Sequence, residues 1–175
     1  TERDGQALIY RGGALNLAGA ARDKRRTLDD RVAALVAIVE QHRAEHPADQ
    51  IILWCHLNDE QVAIERAMHA LGISCSSVHG GNTTEVNVER LLAWKARETR
   101  ALIGKPVMLG QGMNLQQANV CVFVGIDHKF NDLIQALHRI QRFGQSRPCI
   151  AHIIHADSET EIKRDLVEKW ARHRE

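Results

Sequence analysis

The chain has 175 residues, with 23 Lys and Arg against 22 Asp and Glu, ten His, four Cys and 44% apolar residues. That is enough for one domain with a real core, burying about 70% of the unfolded chain's surface, so folding requires neither a disulfide framework nor a metal staple. The formal net charge of +1 excludes a nucleic-acid binder that works by bulk charge, so any such contact has to be local.

No apolar run approaches the ~20 residues that span a bilayer, and the first residues lack the pattern of a signal peptide. The chain therefore reads as soluble and intracellular. Cys55, Cys75, Cys121 and Cys149 are scattered without a CxxC pair. They are expected to be small buried hydrophobes in a reducing compartment, not disulfide partners or zinc ligands. The first residue is Thr1, not Met, which reads as a cut from something longer.

In chain order, residues 1–26 are rich in Gly and Ala and end in a charged run, with no sustained period, and are expected to be a linker or lead-in. Thr27 is expected to cap a helix whose Val32, Leu35, Val36 and Val39 recur at helical spacing up to Pro47. The continuous run Ile51 to Cys55 predicts a strand covered on both faces. Asn58 then caps a helix carrying Val62, Ile64, Met68 and Leu71, closed by Gly72. A strand from Ile73 to Val78 ends at His79-Gly80-Gly81. A helix capped by Thr83 or Thr84 carries Val88, Leu91, Leu92 and Trp94, and leads to the strand Ala101 to Ile103. Val120 to Val124, a helix over about Asn131 to Arg142, and Ile150 to Ile154 continue the alternation. Ser158 with Glu161 resembles a capping box for a last helix bearing Ile162, Leu166 and Trp170.

Five apolar strands alternating with helices predict an α/β domain, a three-layer sandwich around a mainly parallel sheet. Ligands of such sheets gather at the carboxyl ends of the strands. The loop after Ile103 holds Gly110 and Gly112, whose missing Cβ atoms let backbone amides approach a phosphate. A dinucleotide fingerprint would need a third glycine at position 115, which is Leu. Further on, Gln135, Arg139 and Arg142 fall on one face if the segment is helical throughout. Two guanidiniums on one face repel, and a polyphosphate would relieve the repulsion because their planar forks match phosphate oxygens.

Lys105-Pro106 through Gly110-x-Gly112-Met113-Asn114-Leu115-Gln116-Gln117, then Val122-Phe123-Val124-Gly125, then Gln135-Ala136-x-x-Arg139-x-x-Arg142-Phe143-Gly144-Gln145-x-Arg147-Pro148, resemble the second RecA-like (P-loop NTPase-like) domain of superfamily-2 helicases and translocases. The likeness is closest to the chromatin-remodeller-like branch and, within it, to phage and prophage helicases. Ile51 to Glu60 is similar to motif IV of that family, and Val78 to Gly81 to the strand and loop that follow. The resemblance covers residues 27–175. It implies that Arg139 and Arg142 are the motif VI arginines, with Arg142 as arginine finger, that Gln135, Gly110, Gly112 and Asn114 lie on the ATP side, and that Lys105, His79, Gly80 and Gly81 lie near the tracked strand. It also implies ATP and Mg²⁺, held mostly by an N-terminal RecA-like lobe of the same protein; DNA, duplex favoured, as partner; no membrane; a monomeric fragment; and the cytoplasm of a bacterium or phage-infected host. Gly104 stands where the family commonly has Thr or Ser, and His138 where phage relatives often have another Arg.

No GxxxxGK[ST] loop occurs, and no DEAD- or DEAH-like acid pair follows a strand in a way that would hold Mg²⁺, so half of an ATPase site is absent and the chain alone is expected to be inactive. His42 and His46 are spaced i, i+4 but have no Cys at ligand spacing, and solvated helix histidines are expected; no metal site is assigned. A non-catalytic RecA-like scaffold that binds DNA or protein is the alternative reading. The two arginines favour the motor, because a scaffold has no need of them.

Overall fold

The structure, a computed structural model, describes residue 22 and residues 25–109, 113–127 and 129–173, with the backbone alone at Ser158 and His173. Strands β1 (Ile51–Trp54), β2 (Cys75–Val78), β3 (Ala101–Gly104), β4 (Val120–Val124) and β5 (Ile150–Ile154) form one sheet in the order β2-β3-β1-β4-β5. Every neighbouring pair is parallel. Helix α1 (Leu28–Glu45) precedes β1. Parallel neighbours need long crossovers, and α2 (Asn58–Ala70), α3 (Thr84–Lys95) and α4 (Phe130–Ile140) supply those from β1 to β2, β2 to β3 and β4 to β5, while α5 (Thr160–His173) follows β5.

Because side chains alternate across a strand, each apolar run feeds two cores. Ile51, Leu53 and Cys55 pack with Leu35 and Val39 of α1 and Ile64 and Met68 of α2. Ile52 and Trp54 point the other way, to Trp94 of α3 and Ala136 and Ile140 of α4. Trp54 also stacks on Phe123, ring centroids 6.3 Å apart. Each such side chain contributes about 1.5–3 kcal/mol on burial, so tertiary packing holds the three layers together. Ile162 and Leu166 of α5 form a third cluster with Ile126. The predicted three-layer α/β architecture is the one observed.

Several boundaries differ from expectation, for local reasons. Most of the lead-in lies outside the described residues; Arg22, Arg25 and Arg26 are helical, and Arg25 Nε donates to Asp59 at 3.3 Å. Thr27 occupies the N-cap position of α1, but its hydroxyl makes no capping bond and accepts from Arg31 Nε at 3.3 Å instead. The buried stripe of α1 is Arg31, Leu35 and Val39, with Val32 and Val36 only half-buried. Asn58 is the first helical residue of α2 and not its cap. Glu60 Oε2 covers the free end by accepting the amides of His56 at 2.8 Å and Leu57 at 3.0 Å, as a carboxylate near a helix N-terminus should.

Thr83 does cap α3, accepting from the Val86 amide at 3.4 Å. Val88 and Leu92 of that helix nevertheless remain 50% and 58% exposed. The last helix starts through a short 3₁₀ turn, and the reciprocal acid is Glu159, which takes the Ala156 amide at 2.8 Å. Glu161 pairs with Arg164 instead. His46 is exposed as expected, but His42 is half-buried: its Nε2 is buried without a partner among the described residues, and burial together with nearby His46 lowers its pKa. The four cysteines are free thiols, and burial pushes Cys55 and Cys121 up to about 12. Cys75 and Cys149 are only half-buried. Among the described residues, no helix is long and apolar enough to cross a membrane.

Candidate functional site

Strands β1, β2 and β3 end level with one another, since both Trp54 and Val78 pair with Gly104. The residues that follow, Cys55, His79 and Lys105, therefore leave the sheet side by side. Lys105 Nζ donates to Asn58 Oδ1 at 2.7 Å, so the segment after β1 orients the lysine that the family resemblance implies lies near a tracked strand. A Cβ at Gly104 would lie 3.3 Å from the Val78 carbonyl. A side chain there would require β2 to give by a few tenths of an ångström.

The His79-Gly80-Gly81 loop is fixed by asparagines that sequence reading passed over. Asn87 accepts the His79 amide at 3.3 Å and donates to the His79 carbonyl at 2.9 Å. Asn82 Nδ2 donates to Asn87 at 2.9 Å, and Arg90 holds the Ser77 carbonyl at 2.6 Å. The Gly81 amide closes onto His79 Nδ1 at 3.2 Å. Gly80 is exposed, and a Cβ there would meet nothing, so its backbone is open to a ligand. Lys105, His79, Gly80 and Gly81 thus form one continuous edge.

Arg139 is built into the fold from the opposite direction. It lies in the last turn of α4 and is only 5% exposed. Its NH2 group donates to the Pro106 carbonyl at 3.0 Å, while its own carbonyl accepts the Leu115 amide at 2.9 Å. NH1 is buried with no partner among the described residues. Burial, reinforced by the charge of Arg142, lowers the pKa of this guanidinium. Arg139, Arg142 and Lys105 form no ion pair among the described residues.

Arg142 departs from the expected geometry. Helix α4 stops at Ile140, so Gln135, Arg139 and Arg142 do not share one helical face. Arg142 lies in the exposed turn beyond, its Nε donating to the His138 carbonyl at 3.2 Å. Gln145 explains the stop: its amide nitrogen donates to the carbonyls of Gln116 at 2.8 Å, Ala118 at 3.2 Å and Ile140 at 3.2 Å. The arginine-bearing turn is thereby stitched to the segment leading into β4. Gln135 is exposed on α4, and Asn114 is exposed with Oδ1 accepting the Gln116 amide at 3.0 Å. Gly110 and Gly112 lie outside the described residues.

Sequence reading missed a second buried arginine. Arg31 NH1 meets Glu60 Oε1 at 2.6 Å and the Val124 carbonyl at 2.7 Å. Gly125, at φ +121, is needed here because a Cβ would fall 2.5 Å from Arg31 NH1. The available signal was an arginine on the i, i+4, i+8 stripe with Leu35 and Val39.

A family description, the helicase conserved C-terminal domain, matches residues 30–144. The chain belongs to that family. The matched span contains Lys105, Arg139 and Arg142. No curated protein sequence matches the chain. Among solved structures, the helicase C-terminal domain described here is similar to the C-terminal part of the Fun30 ATPase domain, with TM-score 0.67 and 18% identity over 77% of this chain and 44% of that one. It is also similar to the Hef helicase domain of Pyrococcus furiosus, with TM-score 0.61 and 16% identity over 77% of this chain and 27% of that one. The RNA helicase Prp28 of Chaetomium thermophilum, solved bound to ADP, gives TM-score 0.64 and 17% identity over 83% of this chain and 34% of that one. The chain thus spans less than half the length of each of these structures, and the likeness establishes a RecA-like fold.

Proposed function

We propose that this helicase C-terminal domain is the second lobe of an ATP-dependent DNA helicase or translocase, and that the ATP phosphates are the partner Arg139 lacks. The observation that carries this reading is the Arg139 guanidinium, buried with one carbonyl acceptor and an NH1 that has no partner among the described residues. A buried cation without a counter-charge is costly, and an anionic ligand removes that cost. Arg142, exposed beside it, has the freedom to follow the γ-phosphate and act as arginine finger. It would stabilise charge in the phosphoryl-transfer transition state. Gln135 and Asn114 are exposed toward solvent and available to the nucleotide from the same lobe, and the same reading assigns Gly110 and Gly112 to the nucleotide.

The fit is to phosphate oxygens and not to a cation, since the three basic groups have no carboxylate among them. Mg²⁺ would supply charge neutralisation of the phosphates, held by the acids of an N-terminal lobe. Lys105, steadied by Asn58, and the open Gly80 backbone would hold phosphates of the tracked strand, with duplex DNA the expected track. The two functions are adjacent: Arg139 grips the carbonyl of Pro106, the residue after Lys105. A guanidinium drawn toward a phosphate pulls on that bond, a short route from nucleotide state to strand grip.

The test is ATP turnover of the full-length protein with single-stranded DNA, duplex DNA and RNA as stimulators, beside Arg142→Ala. Stimulation by duplex DNA that is lost in the variant is the expected result; no stimulation by any polymer overturns the motor reading. The 175-residue chain alone, lacking a Walker A loop, is expected to hydrolyse ATP negligibly.

A further inference from the structure

Three side chains with no part in the nucleotide or strand contacts converge at the far end of the sheet's edge. Glu65 and His69 stand one turn apart on α2 and project from the same side of it. Cys75 opens β2, the edge strand, at the end opposite Lys105 and His79. A carboxylate oxygen of Glu65, an imidazole nitrogen of His69 and Cys75 Sγ all lie within 4.8 Å of one another. Sγ and His69 Nε2 are 3.4 Å apart. Tetrahedral zinc, with Zn–S of about 2.3 Å and Zn–N of about 2.0–2.1 Å, sets those two atoms about 3.6 Å apart, so the pair is already close to ligand spacing.

The chemistry of the three groups is that of a metal donor set and not of a self-satisfied cluster. Glu65 is half-buried, yet it makes no hydrogen bond or ion pair among the described residues. A thiolate, an imidazole and a carboxylate together match a borderline-soft divalent ion such as zinc, whereas calcium or magnesium would call for oxygens throughout. Sequence alone hides the set: Cys75 has no second cysteine nearby, and the helix turn that lines up Glu65 and His69 becomes a site only where the chain folds back at Gly72 to start β2.

We propose that Glu65, His69 and Cys75 bind one zinc-class divalent cation, with the remaining coordination position left to water, and that the ion ties the end of α2 to the start of the edge strand. The ion would be held at the surface, away from the ATP-facing arginines, and would stabilise the folded chain by mass action. Titration of the 175-residue chain with Co²⁺ tests this. One equivalent should give a thiolate-to-cobalt charge-transfer absorption in the near ultraviolet, which Zn²⁺ then abolishes by displacement. Cys75→Ser should lose that absorption, and His69→Gln should weaken binding by about tenfold or more. His42→Gln should change neither, separating this site from the His42 and His46 pair. No charge-transfer absorption in the wild type overturns the proposal, as does an absorption that survives Cys75→Ser. Should Cys75→Ser fail to fold, the exposed His69 decides: unchanged affinity in His69→Gln overturns the proposal too.

Discussion

Two buried arginines lie in the same domain and are held in opposite ways. Arg31, 2% exposed, meets a carboxylate and a strand-end carbonyl through one nitrogen, and Glu60 in turn caps a helix, so the charge is absorbed into the fold. Arg139, 5% exposed, has among the described residues a single carbonyl acceptor and no partner for NH1. Burial is nearly equal; compensation is not. A fold uses a buried cation that it has paired, and it leaves unpaired one whose partner arrives from outside.

The largest expected effect tests the outside partner. Arg142→Ala in the full-length protein should lower ATP turnover by about 10³- to 10⁵-fold, while thermal unfolding of the 175-residue chain stays within about 0.5 kcal/mol of wild type. Next comes the paired arginine: Arg31→Met strands Glu60 in the core and should cost about 3–5 kcal/mol, read from urea unfolding. The counterpart sharpens the comparison most. Arg139→Met should leave urea stability within about 1 kcal/mol of wild type, or above it, because no buried acid is left behind. A loss there equal to that of Arg31→Met would break the contrast.

Smaller effects follow. Asn58→Ala releases Lys105 from a single exposed hydrogen bond, worth about 0.5–1.5 kcal/mol, and should raise the DNA concentration for half-maximal stimulation by about 2- to 10-fold. His42, a third basic side chain with a buried nitrogen, should give a shallow pH dependence. Its native pKa lies below the ordinary 6.5, so the unfolded chain binds the extra proton first. Stability is then full above pH 6.5 and falls as the pH drops from there toward the lowered native value. Equilibrium unfolding between pH 5 and pH 8 should show that slope in wild type and a flatter one in His42→Gln.

The legible part of this molecule is what local pattern encodes. Ile51-Ile52-Leu53-Trp54 reads as a strand buried on both sides because both of its faces carry apolar groups, and Gly72 and Thr83 mark helix ends by their own backbone and side-chain chemistry. Lys105, the glycine loop and the two arginines were legible as residue types through a family resemblance. The end of α4 was not, since nothing in Gln141-Arg142 forbids another helical turn. Gln145 decides it, by claiming the carbonyls of Gln116 and Ala118, 29 and 27 residues away.

By itself, then, the sequence determined the alternation of strands and helices, the helix ends set by short-range chemistry and the presence of two arginines in a helicase-like segment. Tertiary structure decided which charges have partners. Arg31 finds Glu60 across 29 residues, Arg139 finds, among the described residues, only the Pro106 carbonyl across 33, and Cys75 meets His69 where the chain folds back. Pairing energy depends on distance and burial in space, and neither quantity is carried by spacing along the chain.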